Sequence, residues 1–84
     1  MESLEKSEKA VTMLSDARGI LCLVQSKCEE TALNLRRFDY NVYSNRLLDA
    51  VRILNEVYHC VVYLIEHEEQ EIKDWENATK AGRS

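Results

Sequence analysis

Proline is absent from these 84 residues, and the only glycines are Gly19 and Gly82. Strands and tight turns lean on both residue types for their breaks and positive-φ positions, so the chain does not read as a β fold. The same lack leaves no glycine-rich loop to cradle a phosphate and no strained elbow to present a nucleophile. Neither a Ser nor a Cys is placed near a His on one helical face. No catalytic residue is therefore expected, and the chain does not read as an enzyme.

Cysteine is sparse and odd in number. Cys22, Cys28 and Cys60 lie inside apolar helical segments, where a small secreted protein would carry a denser and even set. We expect them to be reduced, buried, small hydrophobes in a cytoplasmic protein. Their spacing, with His59 and His67 eight apart and no Cys-x-x-Cys companion, makes no zinc site.

Long apolar runs are also missing. The longest, Cys60 to Ile65, is far short of the ~20 residues of a membrane span. Charges at Glu2, Glu5, Lys6, Glu8 and Lys9 break up any signal-peptide pattern, so neither secretion by that route nor membrane embedding is expected. Clustered bases are lacking as well. Residues 1–37 balance six acids with six bases, and the net charge of −4 arises beyond them. A phosphate-binding surface needs grouped Lys and Arg, so a nucleic-acid partner is not expected. Arg36 and Arg37 suit the negative end of a helix dipole instead.

What is present is helical periodicity. In the first half, Ala10, Leu14, Ala17, Leu21, Val24, Cys28, Thr31, Leu35 and Phe38 step alternately by four and three. This 3.5-residue repeat belongs to helices packed almost parallel or antiparallel. Met13, Ile20, Val11 and Ala32 widen the stripe, and the opposite face carries Lys9, Asp16, Lys27, Glu30 and Arg37. The pattern predicts a helix over about 3–37. Gly19 falls on its outer face, either a tolerated weak spot or a place of close helix approach.

The interruption comes at 38–41. Asp39, Asn41 and Ser44 are good N-caps for a following helix, expected over about 42–78 with a loose tail at 79–84. Phe38, Tyr40 and Tyr43 are expected to close the core at this end. In the second helix Leu47, Val51, Leu54, Tyr58, Val61, Ile65, Glu68, Ile72 and Trp75 keep the alternating spacing, with Leu48, Ala50, Val57, Val62 and Leu64 flanking. Polar residues survive on one strip: Asp49, Arg52, Glu56, His59 and Glu66.

One partner helix covers one stripe, and this helix offers more than one. A core of this size supplies only about 3–5 kcal/mol, so a staple is needed, and neither disulfide nor metal supplies it. The fold expected is thus all-α: one helical-hairpin domain of two long antiparallel helices, pairing with a second copy into a four-helix bundle. Leu14, Leu21, Val24, Leu47, Val51, Leu54, Val57, Tyr58, Val61, Val62 and Ile65 are the expected core and oligomer interface.

Two further constellations bear on function. Glu56-Val57-Tyr58-His59 matches the Glu-x-x-His spacing of di-iron bundles, but the facing positions Cys22, Val24 and Gln25 supply no carboxylate. No metal or cofactor is expected. The acidic stretch Glu66–Glu76 is a solvated helix end or a docking surface for a basic protein. In the second reading Glu68, Glu69 and Glu71 attract the partner while Ile72 and Trp75 anchor it. The function expected is a non-enzymatic adaptor, chaperone-like protein or inhibitor acting through helix packing. The alternatives are a purely structural oligomerisation module, and a nucleic-acid-directed regulator or acidic decoy.

Overall fold

The computed structural model describes residues 2–83. It contains two α-helices, α1 (Glu2–Arg37) and α2 (Asn41–Arg83), folded back on each other as an antiparallel hairpin. Only Phe38, Asp39 and Tyr40 lie between them. The second helix does not give way to a tail after residue 78. Ala78, Thr79 and Lys80 continue it, and Thr79 carries the contact row on by one more step while its hydroxyl donates to the Trp75 carbonyl at 2.9 Å. Ser84 lies outside the described residues.

The connection is a Schellman turn. The Tyr40 N–H donates to the Leu35 carbonyl at 2.9 Å and the Asp39 N–H to the Arg36 carbonyl at 3.1 Å, closing the last turn of α1. That geometry puts the intervening residue in the left-handed region, where glycine is usual. Here it is Asp39, at φ 66°, a residue type that tolerates the conformation through its short polar side chain. Asp39 therefore ends α1 rather than capping α2. The Tyr40 carbonyl accepts the first bond of α2, from the Ser44 N–H at 2.9 Å.

Ser44 is not a cap either. It is 1% exposed, and its hydroxyl donates to the Ala32 carbonyl across the hairpin at 2.8 Å. Ala32 itself is 0% exposed. Two small residues facing each other let the backbones approach, and the buried hydroxyl is satisfied by the facing carbonyl. This contact closes the turn end of the hairpin. The aromatics expected to do so stand in solvent: Phe38 is 74%, Tyr40 53% and Tyr43 62% exposed. A three-residue connection brings the two axes so close that only Ala and Ser fit between them there, and the large rings are turned outward.

Along α2 a row of half-buried and buried positions, Ser44, Leu47, Val51, Leu54, Tyr58, Val61, Ile65, Glu68, Ile72, Trp75 and Thr79, alternates by three and four without a break, with Leu48, Ala50 and Val62 half-buried beside it. That is the row the spacing points to. In α1 the contact row is Leu4, Ser7, Val11, Leu14, Arg18, Leu21, Gln25, Cys28, Ala32 and Leu35. It shares Leu14, Leu21, Cys28 and Leu35 with the expected stripe, and Ala10, Ala17 and Thr31 of that stripe are half-buried beside it. Val24 and Phe38 leave the contact, and Arg18 and Gln25 enter it, lying half-buried with their apolar stems along α2. The apolar stripe of α1 is wider than the strip one helix covers, so its far edge is left facing out.

The hairpin is a rod measuring 68 × 15 × 15 Å, with a radius of gyration of 19.2 Å where a globular chain of this length would have about 12 Å. Its surface is 6740 Å², against roughly 5,200 Å² for a compact protein of 9.8 kDa. Among the described residues the only buried apolar side chains are Ala32 and Ile65. A two-helix layer has a seam but no interior.

Candidate interaction surface

The two sides of this seam are chemically different. A shallow groove near the open end is lined by Lys6, Ser7 and Ala10 of α1 and by His67, Glu68 and Glu71 of α2, which places those residues on one side of the rod. The 3–4 alternation of the seam holds along the whole hairpin, so residues seven apart share a side. Stepping from Lys6 gives Met13, Ile20 and Lys27; from Ala10, Ala17, Val24 and Thr31. On α2, stepping back from His67 gives Cys60, Ile53 and Arg46; from Glu71, Leu64, Val57, Ala50 and Tyr43. Between its charged ends this side is apolar, and it is open. Met13 is 66%, Ile20 61%, Val24 40%, Ile53 62%, Val57 43% and Leu64 41% exposed.

The other side is marked by Arg36 of α1, whose guanidinium donates to the Asn45 side-chain carbonyl of α2 at 3.4 Å. Residues seven apart from these are Glu8, Ser15, Cys22 and Glu29 on α1 and Arg52, His59, Glu66 and Lys73 on α2. All but Ser15 are exposed. Gly19 belongs to this side, and a Cβ built there meets nothing within 4 Å. The glycine is therefore not a point of close approach within the hairpin, and it lies away from the apolar face.

The expected core residues divide accordingly. Leu14, Leu21, Leu47, Val51, Leu54, Tyr58, Val61 and Ile65 are on the seam, and Val62 is half-buried beside it. Val24 and Val57 are on the open apolar face instead. Cys28 is half-buried on the seam, but Cys22 and Cys60 are exposed, Cys22 on the polar side and Cys60 in the middle of the apolar one. The expectation of three buried thiols is corrected to none. Their helical spacing had marked them as apolar positions, and the apolar positions of this chain outnumber those that two helices can cover.

The acidic end is arranged differently from a docking site with two apolar anchors. Ile72 and Trp75 are half-buried on the contact row, with Trp75 beside Leu4, Ser7, Glu71 and Asp74. Glu69 and Glu71 are exposed and Glu68 is half-buried. Both hydrophobic anchors are thus occupied within the hairpin, and carboxylates alone remain. One, on Asp74, accepts from the Gln70 amide at 2.9 Å, and Glu71 faces His67 at 3.8 Å.

Glu56 and His59 are exposed on the polar side, with the His59 ring edge-on to Tyr58 at 5.7 Å. Among the described residues no three His, Cys, Asp or Glu side chains gather in a way that could hold a metal ion. No helix there is long and apolar enough to cross a membrane. A second exposed apolar group stands at the turn, where the Tyr40 and Tyr43 rings stack at 5.8 Å beside Val42, itself 65% exposed. Sequence spacing alone had not distinguished these surfaces, because it reports which residues share a helix face but not which of several apolar faces the partner helix takes. Compared with protein-family models, with curated proteins and with solved structures, the chain matches none.

Proposed function

We propose that the chain is a non-enzymatic protein-binding module, an adaptor or inhibitor that works by packing helices against one side of its hairpin. The observation that carries this reading is the apolar face of Met13, Ile20, Val24, Ile53, Val57 and Leu64, each at least 40% exposed, on a rod whose opposite side exposes one large hydrophobic, Leu33, among polar residues, with Leu23 and Tyr63 on the outer backs of the helices. Single exposed hydrophobics are ordinary, but a contiguous strip of them rimmed by charge marks an interaction site. A flat pair of antiparallel helices also has the shape for this, since two parallel ridges with a groove between them accept one or two further helices.

The acidic end is a weaker candidate for the working surface, since Ile72 and Trp75 are spent on the seam. The alternative of a nucleic-acid-directed protein draws little from the surface either, because the exposed bases run from Lys6 and Lys80 at the open end to Arg36, Arg37 and Arg46 near the turn, interspersed with acids, and two of them pair with acids on their own helix. Lys27 lies 3.9 Å from Glu30 and Arg52 3.8 Å from Asp49.

The test is site-specific photocrosslinking in cells that express the protein. A benzophenone residue at Ile20 or Ile53 should give protein adducts, to a partner or to a second copy, while the same residue at Ser26 or Arg52 should give few. Equal yields from the two sides, or none from the apolar side, would remove the reading.

A further inference from the structure

We infer that the occupant of the open apolar face is a second copy of this chain, laid on it tip to tail, so that the turn of one hairpin lies over the open end of the other. This rests on the reading of that face as the working surface and names what covers it.

The first argument is area. The rod carries roughly 1,500 Å² more surface than a compact chain of its mass, and a standard interface removes about 800 Å² from each partner. One side of a rod 68 Å long and 15 Å wide is on the order of 1,000 Å², enough for such an interface. A single long partner helix would cover only part of this width.

The second argument is self-complementarity. Turn one copy end over end about an axis that crosses the rod level with Cys60. Each helix then lies antiparallel on its own counterpart. On α2, Cys60 meets Cys60, Leu64 meets Val57 and Asp74 meets Arg46. On α1, the same axis passes close to Ala17, because the Ser44–Ala32 contact and the groove holding Ala10 with His67 and Glu68 set residues 16–18 level with Cys60. Met13 then meets Ile20, Ala17 meets Ala17 and Ala10 meets Val24. One axis thus pairs apolar with apolar on both helices.

Charge selects this arrangement over the one with both turns at the same end. The face ends at the turn in Lys27 and Arg46, and at the open end in Lys6, Glu71 and Asp74. Side by side, the two turns would bring four bases together and the two open ends four carboxylates with only two bases. Tip to tail, Arg46 meets the other copy's Asp74 with Glu71 close by, and the one like-charge approach, Lys27 to Lys6 on α1, leaves each junction with three bases and two acids, a milder excess than four bases together.

The native thiols report the geometry. In sedimentation equilibrium the chain should be a dimer at micromolar concentration. A short bismaleimide should link the copies through Cys60, with the linked species lost in Cys60→Ser and kept in Cys22→Ser. Arg46→Glu or Asp74→Arg alone should weaken the dimer ~10-fold, since each removes two symmetry-related pairs, and the two together should restore it. Both positions are exposed in the hairpin, so neither substitution disturbs its folding. A folded monomer at that concentration would overturn the inference, and crosslinks from Ile20 to some other protein would then still uphold the apolar face as a docking surface. A dimer that links through Cys22, or one in which the two charge reversals weaken additively, would overturn it as well.

Discussion

The two long sides of this hairpin are built from the same two helices and the same 3–4 spacing, yet one exposes a run of apolar residues and the other is mostly polar, with Leu33 the large hydrophobic it exposes. On α1, Met13, Ala17, Ile20 and Val24 look out from one side, while Glu8, Ser15, Cys22 and Glu29 look out from the other. On α2 the contrast is Ile53, Val57, Cys60 and Leu64 against Arg52, His59 and Glu66. A helix that needed only its hairpin partner would be polar on both flanks of the seam. On the function proposed above, one flank is adapted to water and the other to a further helix layer, and this accounts for a chain with 45% hydrophobic residues having so few buried side chains.

The largest effect should come from the seam between these sides. Ile65 is 3% exposed, and Ile65→Asp places an unpaired carboxylate where nothing can satisfy it. A loss of about 4 kcal/mol or more exceeds what a chain of this size holds in reserve, so far-UV circular dichroism at 25 °C should lose most of its helical signal. Val57→Asp, on the apolar flank, should instead lower the melting temperature in a way that depends on protein concentration, whereas His59→Asp, on the polar flank, should stay within about 0.5 kcal/mol of the parent. Equal responses at 57 and 59 would break the comparison of the two sides.

Trp75→Ala should destabilise by about 2 kcal/mol, near half the value for a fully buried aromatic, because its ring is only half-buried against Leu4 and Ser7. An unchanged thermal melt would return Trp75 to solvent and make the acidic end a rival to the apolar face. Ser44→Ala should be milder, about 1 kcal/mol for the hydroxyl donated to the Ala32 carbonyl, with the Ala32 carbonyl still bonded within its own helix. Chemical denaturation should show a shifted midpoint and an unchanged slope.

The smallest effect has the opposite sign. Gly19→Ala sits mid-helix on the polar side, where an added Cβ meets nothing, and should stabilise by up to about 1 kcal/mol. In a domain this small that is a rise of several degrees in melting temperature. A fall would mean that something packs on the polar side at Gly19, and the assignment of the two sides would have to be reversed.

Much of this architecture was legible in the residues. The two helices follow from the lack of proline and from the unbroken periodicity, and the whole contact row of α2 from Leu47 to Trp75 follows from the spacing alone. The row on α1 does not. Its apolar residues spread over too wide an arc for spacing to select the half that faces α2, so Val24 was placed in the contact and Val11 and Ala32 only at its margin. The turn was located correctly at 38–41 but its chemistry was not. Without a glycine to flag the left-handed position, Asp39 read as an N-cap, and large aromatics read as a plug where the short connection admits only Ala32 and Ser44.

The sequence by itself determined that the chain is helical, where it reverses, and that its apolar surface exceeds what two helices bury. These follow from local propensity and from counting residues around a helix, which need no partner. Only the tertiary structure decided which arc of α1 turns inward, that Trp75 and Ile72 are consumed by the seam, and that most of the excess apolar residues lie on one side, with Leu33 on the other and Leu23 and Tyr63 on the backs of the helices. Those outcomes depend on the relative rotation of the two helices. That rotation is set where Ser44 meets Ala32 and is carried along the rod by the seam, a long-range contact that no local pattern encodes.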